Sequence, residues 1–442
     1  MYSNKDLKKL LIPLIVEQML SALMGIADTF MVSNISPEAL SGVSLVDTIN
    51  NVMITIMMAL AASGTVVCSQ FLGRKDEESA RRAAGQALFC CIVAGAVPCA
   101  LCMTFARPIL GFIYGQVDEG VMATAVVYFL ITAASYPFYA VQTGDAAILR
   151  AEGETRIPML VSLGTNLLNI AGNAVLIFVL HMGVRGAALS TLGSRVVGAC
   201  VMVFLTAQGK RRLRVNSLLQ LIPVSKYIRM ILRIGIPTGL ENGMFRFGKL
   251  IVASTVSTLG TTAISAQAMV QLIEGIHSYP AEAIGTGLMT VAGTCMGAGK
   301  IDETKMYTRK LMGYAEISML IMAALISVSL VPITKAAALS EEAAELFIQI
   351  MIISLIVKSI FWVPSFTLPN TLRAAGDAAY CSVVSACSMW LFRVGLSSLL
   401  CRVFGVGLIG VWIGWYVDWL CRDTFYIARY RSGKWTQKRV ID

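Results

Sequence analysis

Long apolar stretches, each about the length that crosses a bilayer and separated by short basic connections, constrain this chain more than any other feature. Hydrophobic types make up 56% of its 442 residues and charged types 14%, where a soluble domain carries about 25% charged residues. A water-soluble fold has no interior large enough for that much apolar surface. Twelve spans of about 20 residues use roughly 240 positions and leave the remainder for connections and ends. The composition specifies an all-α, polytopic membrane protein of twelve transmembrane helices.

The spans fall near residues 10–33, 43–72, 84–106, 121–145, 157–180, 184–206, 231–259, 262–296, 311–333, 343–369, 380–403 and 405–428. The first follows a charged stretch, as in a signal peptide. Its apolar run continues through Phe30 without a cleavage site, so it reads as a retained helix. The formal net charge of +10 lies mostly in alternate connections, among them Lys8, Lys9, Arg74, Lys75, Arg211 and Arg212. The opposite side holds only Arg107, Arg185, Lys335 and Arg402. By the positive-inside rule both termini are cytoplasmic, and the location is the plasma (inner) membrane. The basic residues face anionic lipid, which makes nucleic acid a poor partner. The 11 cysteines sit mainly in apolar runs and read as small hydrophobes. Cys99 and Cys102 form a C-x-x-C with no His or acid beside it, so neither a metal nor a cofactor is expected.

An internal repeat divides the chain. Leu149-Arg150-Ala151-Glu152-Gly153-Glu154 returns as Leu372-Arg373-Ala374-Ala375-Gly376-Asp377, an offset of 223. Gly183 to Gly186 returns at Gly407 to Gly410, and Gly209-Lys210 at Gly433-Lys434, both at 224. The loop opening at Gly73 returns at Gly297. Six spans separate the copies, an even number, so both halves share one orientation in the membrane. The expected organisation is an N-terminal lobe at 1–206, a cytoplasmic linker at 207–230, a C-terminal lobe at 231–428 and a basic tail at 429–442. One chain supplies both lobes, so a monomer is expected.

The repeated Leu-Arg-Ala-x-Gly-[Asp/Glu] motif, the Asp-Glu loops after spans two and eight, and Asp28-Thr29 late in span one resemble the multidrug and toxic compound extrusion (MATE) family over nearly the whole chain. The resemblance implies two six-helix bundles forming a cation-coupled antiporter, driven by H⁺ or Na⁺. Its substrates are amphipathic organic compounds, exported by alternating access. It also implies a first-helix proline, here Pro13 as a hinge, and a coupling-ion carboxylate, here Asp28.

Charge at bilayer depth needs a reason. Asp28 is either that ion site or a polar anchor near the outer interface. In span five, Asn166, Asn169 and Asn173 share a helical face, either completing a cation site with Asp28 or joining helices. Members resembling this chain often carry Asp where Asn173 stands. Span seven holds Glu241, Arg246 and Lys249, read as a buried network that senses the cation or as a structural ion pair of Glu241 with Arg246. The coupling acids of one branch of the family fall here on Phe245 and Trp362. Gln267, Gln271 and Glu274 share a face of span eight and, with Tyr136, Tyr139, Arg246, Lys249 and Trp362, are expected to line a substrate cavity. Asp418 and Arg422 have the spacing of a helical ion pair.

Gly243 to Lys249 imitates a phosphate loop, but Leu250 replaces the Ser or Thr that would hold Mg²⁺. Neither H-E-x-x-H nor G-x-S-x-G occurs, so an enzyme is not expected. The alternative to export is a flippase for a lipid-linked oligosaccharide, with Arg246, Lys249 and Lys358 neutralising a diphosphate.

Overall fold

The computed structural model describes residues 1–33, 35–115, 118–208, 211–215, 217–438 and 440–441. Gly209 and Lys210 of the expected linker, Arg439 of the tail and the side chain of Thr29 lie outside that description. The helices are α1 (Asn4–Ser33), α2 (Pro37–Gly73), α3 (Glu77–Tyr114), α4 (Glu119–Ala134), α5 (Tyr136–Ala151), α6 (Arg156–Asn173) and α7 (Gly183–Ala207). They continue as α8 (Ser225–Ser257), α9 (Thr261–Gly297), α10 (Ile301–Ala336), α11 (Glu341–Phe366), α12 (Leu368–Ala374), α13 (Ala378–Ser388), α14 (Ser397–Arg402) and α15 (Leu408–Arg431). Joining the broken pairs leaves the twelve rods that the apolar runs require, and no strand occurs among the described residues.

Among the described residues eight helical stretches are long and apolar enough to cross a membrane, and α4 with α5 makes a ninth, bent by 41°. The other three rods, α8, α9 and α15, carry polar groups through their middles, Glu241, Glu274 and Asp418 among them. Several rods run well beyond the apolar core of each span. α3, for example, continues to Tyr114 through Pro98 and Pro108, with a kink at Phe105 (φ −121, ψ 28), three residues before the second proline. Asp76 caps its start, accepting from the backbone N–H of Ser79 at 3.0 Å. That bond holds the Asp76 carboxyl below the usual carboxylate range.

The chain forms two compact units, residues 2–239 and 240–442, the second also taking Met1. The division falls inside α8, just after Pro237. Earlier in that helix Gly235 lets the backbone approach α2, where a Cβ would stand 2.7 Å from Leu60. The N-terminal unit packs around Val46, Met57, Phe129 and Ala188. The C-terminal unit has a cluster of Leu372, Cys381, Tyr426 and Trp435.

The repeat is legible in backbone geometry. After α2 the N–H of Asp76 bonds to the carbonyl of Phe71, and after α9 that of Lys300 bonds to Cys295, each at 3.0–3.1 Å. These are the same helix-ending turn 224 residues apart. The second copy places Gly299 at φ +72, whereas the first forces Lys75 to φ +62. The two Leu-Arg-Ala motifs end in a second matched pair of turns, with Glu154 bonding to Leu149 and Asp377 to Leu372, both at 2.9 Å.

Gly95 permits close contact of α3 with α5. A Cβ there would stand 2.7 Å from that of Ala140 and 2.8 Å from the Tyr136 carbonyl. Gly95→Val is expected to destabilise the purified protein by about 1–3 kcal/mol, typical of overpacking, read as a lower melting temperature. Gly193→Ala, with nothing within 4 Å of its Cβ, leaves it unchanged.

Candidate functional site

In the N-terminal unit a polar cluster joins five rods. The Asn173 side-chain amide, fully buried, donates to Asp28 Oδ1, linking α6 to α1. The Asn173 side-chain oxygen is buried without a partner. Asp47 of α2 lies within electrostatic reach of Asp28, and Arg195 of α7 is a cation near both. Asp47 Oδ1 accepts from Asn50 at 3.2 Å and from the Tyr128 hydroxyl at 3.3 Å. Asn50 in turn accepts from the Tyr136 hydroxyl at 2.6 Å. Arg195 donates to Ser135 at 2.7 Å, the residue at which α4 and α5 break, and lies over the Tyr139 ring at 4.9 Å. Two carboxylates within electrostatic reach of one arginine leave this cluster with one acid in excess.

Below Asp28 the helix passes through Pro13. A proline there leaves the carbonyl of Lys9 without its helical donor. The buried Thr155 hydroxyl supplies one instead, lying 3.3 Å from the Lys9 carbonyl and 2.9 Å from that of Leu10. A hydroxyl can release such a bond at small cost, which suits a position where a helix bends.

A second feature occurs twice. Glu17, four residues after Pro13, pairs with Arg150 at 2.8 Å. Glu241, four residues after Pro237, pairs with Arg373, whose Nη2 lies 2.9 and 2.8 Å from the two carboxylate oxygens. These offsets, 224 and 223, are those of the repeat. Each unit thus braces its proline-bearing helix against the arginine of its Leu-Arg-Ala motif.

Several sequence expectations need correcting. Glu241 does not pair with Arg246; Arg373 takes it, with Ser382 donating at 3.1 Å. Asn169 does not reach Asp28, because its amide donates to Thr191 at 3.3 Å on the neighbouring α7. Tyr136 does not face a cavity but is buried on Asn50, while Tyr139 is half-buried against Arg195. The shared face of Gln267, Gln271 and Glu274 is not an open wall. Gln267 accepts from the Trp412 indole at 2.8 Å, and Glu274 pairs with Lys358 at 2.7 Å. Gln271 is exposed. Trp362 is buried and stacks on Phe366 at 5.0 Å. Arg246 and Lys249 are exposed. Asp418 and Arg422 pair at 2.9 Å as their spacing indicates, and Arg393 joins them. Among the described residues no three His, Cys, Asp or Glu side chains converge as a metal site requires.

Arg195 and Arg393 were the residues that sequence reasoning missed. Each is a charge in the middle of an apolar run, the signal that singled out Asp28.

A duplicated six-rod unit with charges buried at bilayer depth defines the class, a multi-pass membrane protein with the architecture of secondary transporters. The family model described as MatE matches residues 13–175 and again 237–399. The chain belongs to the MatE family, as its repeated motifs indicated. Its relatives include the probable multidrug resistance protein NorM of Thermotoga maritima, 27% identical over 99% of this chain and 94% of that one. The uncharacterized transporter YisQ of Bacillus subtilis is 30% identical over 96% of this chain and 94% of its own length. Among solved structures, the outward-facing conformation of a multidrug resistance MATE family transporter of the MOP superfamily aligns with a TM-score of 0.91 at 20% identity, covering 98% of this chain and 96% of that one. A mutant of the Vibrio cholerae MATE transporter VcmN aligns at 0.89 and 20% identity, covering 98% of each chain.

Arg373→Ala strands a buried Glu241 and is expected to destabilise the protein by about 3–5 kcal/mol. Glu241→Gln together with Arg373→Gln restores much of the loss. Thermal unfolding of the purified variants reads both.

Proposed function

We propose that the protein is a cation-coupled antiporter that exports amphipathic organic compounds, cycling by alternating access with H⁺ or Na⁺ as the driving ion. The observation that carries the reading is the Asp28–Asn173 contact, which sets a carboxylate beside Asp47 on the helix that carries Pro13. With Asp28 ionised, the pocket takes a cation. Binding neutralises the carboxylate, weakens its hold on Asn173 and frees α1 to bend at Pro13, which lowers affinity for the exported compound. Release of the ion to the cytoplasm resets the site. Asn169 positions α6 against α7, and Glu241 braces α8.

In this reading the lobes are residues 1–206 and 231–428, joined by a linker at 207–230, with a basic tail at 429–442. Both termini are cytoplasmic and a monomer in the plasma membrane suffices. The Thermotoga maritima relative is named a probable multidrug resistance protein, the Bacillus subtilis one a transporter, and the family is MatE, which favours export over the oligosaccharide flippase and transport over catalysis.

In proteoliposomes with proton and sodium gradients imposed separately, one gradient drives export of an amphipathic dye. Asp28→Asn lowers that export tenfold or more, about the size of a typical coupling between two bound ligands. Undiminished export by the folded variant refutes the role of Asp28.

A further inference from the structure

In the C-terminal unit cations gather on one ring: Arg393, Arg422 and Lys249 lie 4.4, 5.1 and 5.7 Å from the Phe245 centroid. In the C-terminal unit Asp418 is fully buried and serves two arginines. Arg422 takes one oxygen in a hydrogen bond at 2.9 Å. Arg393 meets the other at 2.8 Å, a charge contact whose angle falls outside that of a hydrogen bond, and its Nε is buried without a partner. The next acid on α15, Asp423, is engaged by Ser365 and lies within electrostatic reach of Arg422. Lys358 already holds Glu274. Lys249 lies within electrostatic reach of Arg393, Arg246 and Lys358, with Glu282 the one acid among its main neighbours. Lys249 therefore faces three cations and a single carboxylate.

Aromatic rings complete the place. The Arg393 guanidinium lies between the Phe245 and Trp415 rings, 4.4 Å from each centroid. Lys249 stands 5.7 Å from the Phe245 centroid. Phe366 meets Phe245 edge-on at 6.4 Å. The Trp415 indole N–H is buried and unpartnered. Donors exceed acceptors around one wall of rings, and a buried donor without an acceptor is costly until a ligand supplies one.

We infer that the C-terminal unit holds a binding site for the carboxylate or sulfonate head of an amphipathic aromatic anion, with Lys249 and Arg393 taking the head beside the Phe245 ring. The inference rests on the reading of the protein as a transporter of small organic molecules and names a substrate class for it. The N-terminal cluster would then hold the coupling cation while the C-terminal one holds the anionic end of the cargo.

The test is calorimetric titration of the full-length protein in detergent with 2-naphthoate and with its charge-reversed twin, 2-naphthylmethylammonium. No ion gradient enters, so failure here is separate from failure of the coupling mechanism. The naphthoate binds and the ammonium twin binds at least about tenfold more weakly, the scale of one charge-assisted hydrogen bond. Lys249→Gln, at an exposed position that folding tolerates, weakens naphthoate by a similar factor, whereas Lys249→Arg retains it and the remote Lys335→Gln changes nothing. Equal binding of the twins, or binding of neither, overturns the proposal even if a variant fails to fold. So does unchanged naphthoate affinity in folded Lys249→Gln, or complete displacement of naphthoate by equimolar chloride, which marks a site for inorganic anions.

Discussion

A charge placed at bilayer depth has to find a partner within the protein, and the rest of this structure is arranged around that requirement. The clearest expression is the glutamate–arginine pair that each half makes between its proline-bearing first rod and its Leu-Arg-Ala motif. The proline weakens the helix and the ion pair fixes the turn beyond it. In the N-terminal unit Thr155 caps the carbonyls exposed at that point, and Asp28 lies on the far side.

Duplication supplied two copies of this frame, and the copies then diverged in charge. At the repeat offset of 224, Asn169 corresponds to Arg393 and Asp28 to Val252. Asn173 immediately precedes a π-helical turn, Ala174–Val179, and Arg393 lies within another, Met389–Leu396. Such wide turns shift a side chain's direction without ending the helix and recur at functional sites. Each unit thus places a π-helical segment in this rod, at positions that the repeat does not match: Ala174–Val179 maps onto 398–403, beyond Met389–Leu396.

The fold was largely legible in the sequence because the membrane leaves few alternatives: apolar runs of bilayer length become helices. The repeat was legible because the turn that ends a helix needs a residue tolerant of positive φ, and Gly153 and Gly376 mark it in both copies. Asp28 was legible as a charge at depth, and its neighbour Asn173 from the spacing of the amides. The Glu241–Arg373 pair was not, because 132 residues separate its members and nearer cations on α8 competed for the assignment. The lining residues were the least legible, since Gln267, Glu274 and Trp362 carry the polar or aromatic character of a binding surface yet use it to join rods.

The central claim is that one carboxylate couples an ion to the exported compound. The most direct measurement is the affinity of the purified protein for an exported dye, titrated against pH and against Na⁺ in separate series. The account predicts that one of the two ions weakens dye binding in the wild type and that this dependence disappears in Asp28→Asn. A dye affinity indifferent to both ions, or an ion dependence that survives in the variant, contradicts it.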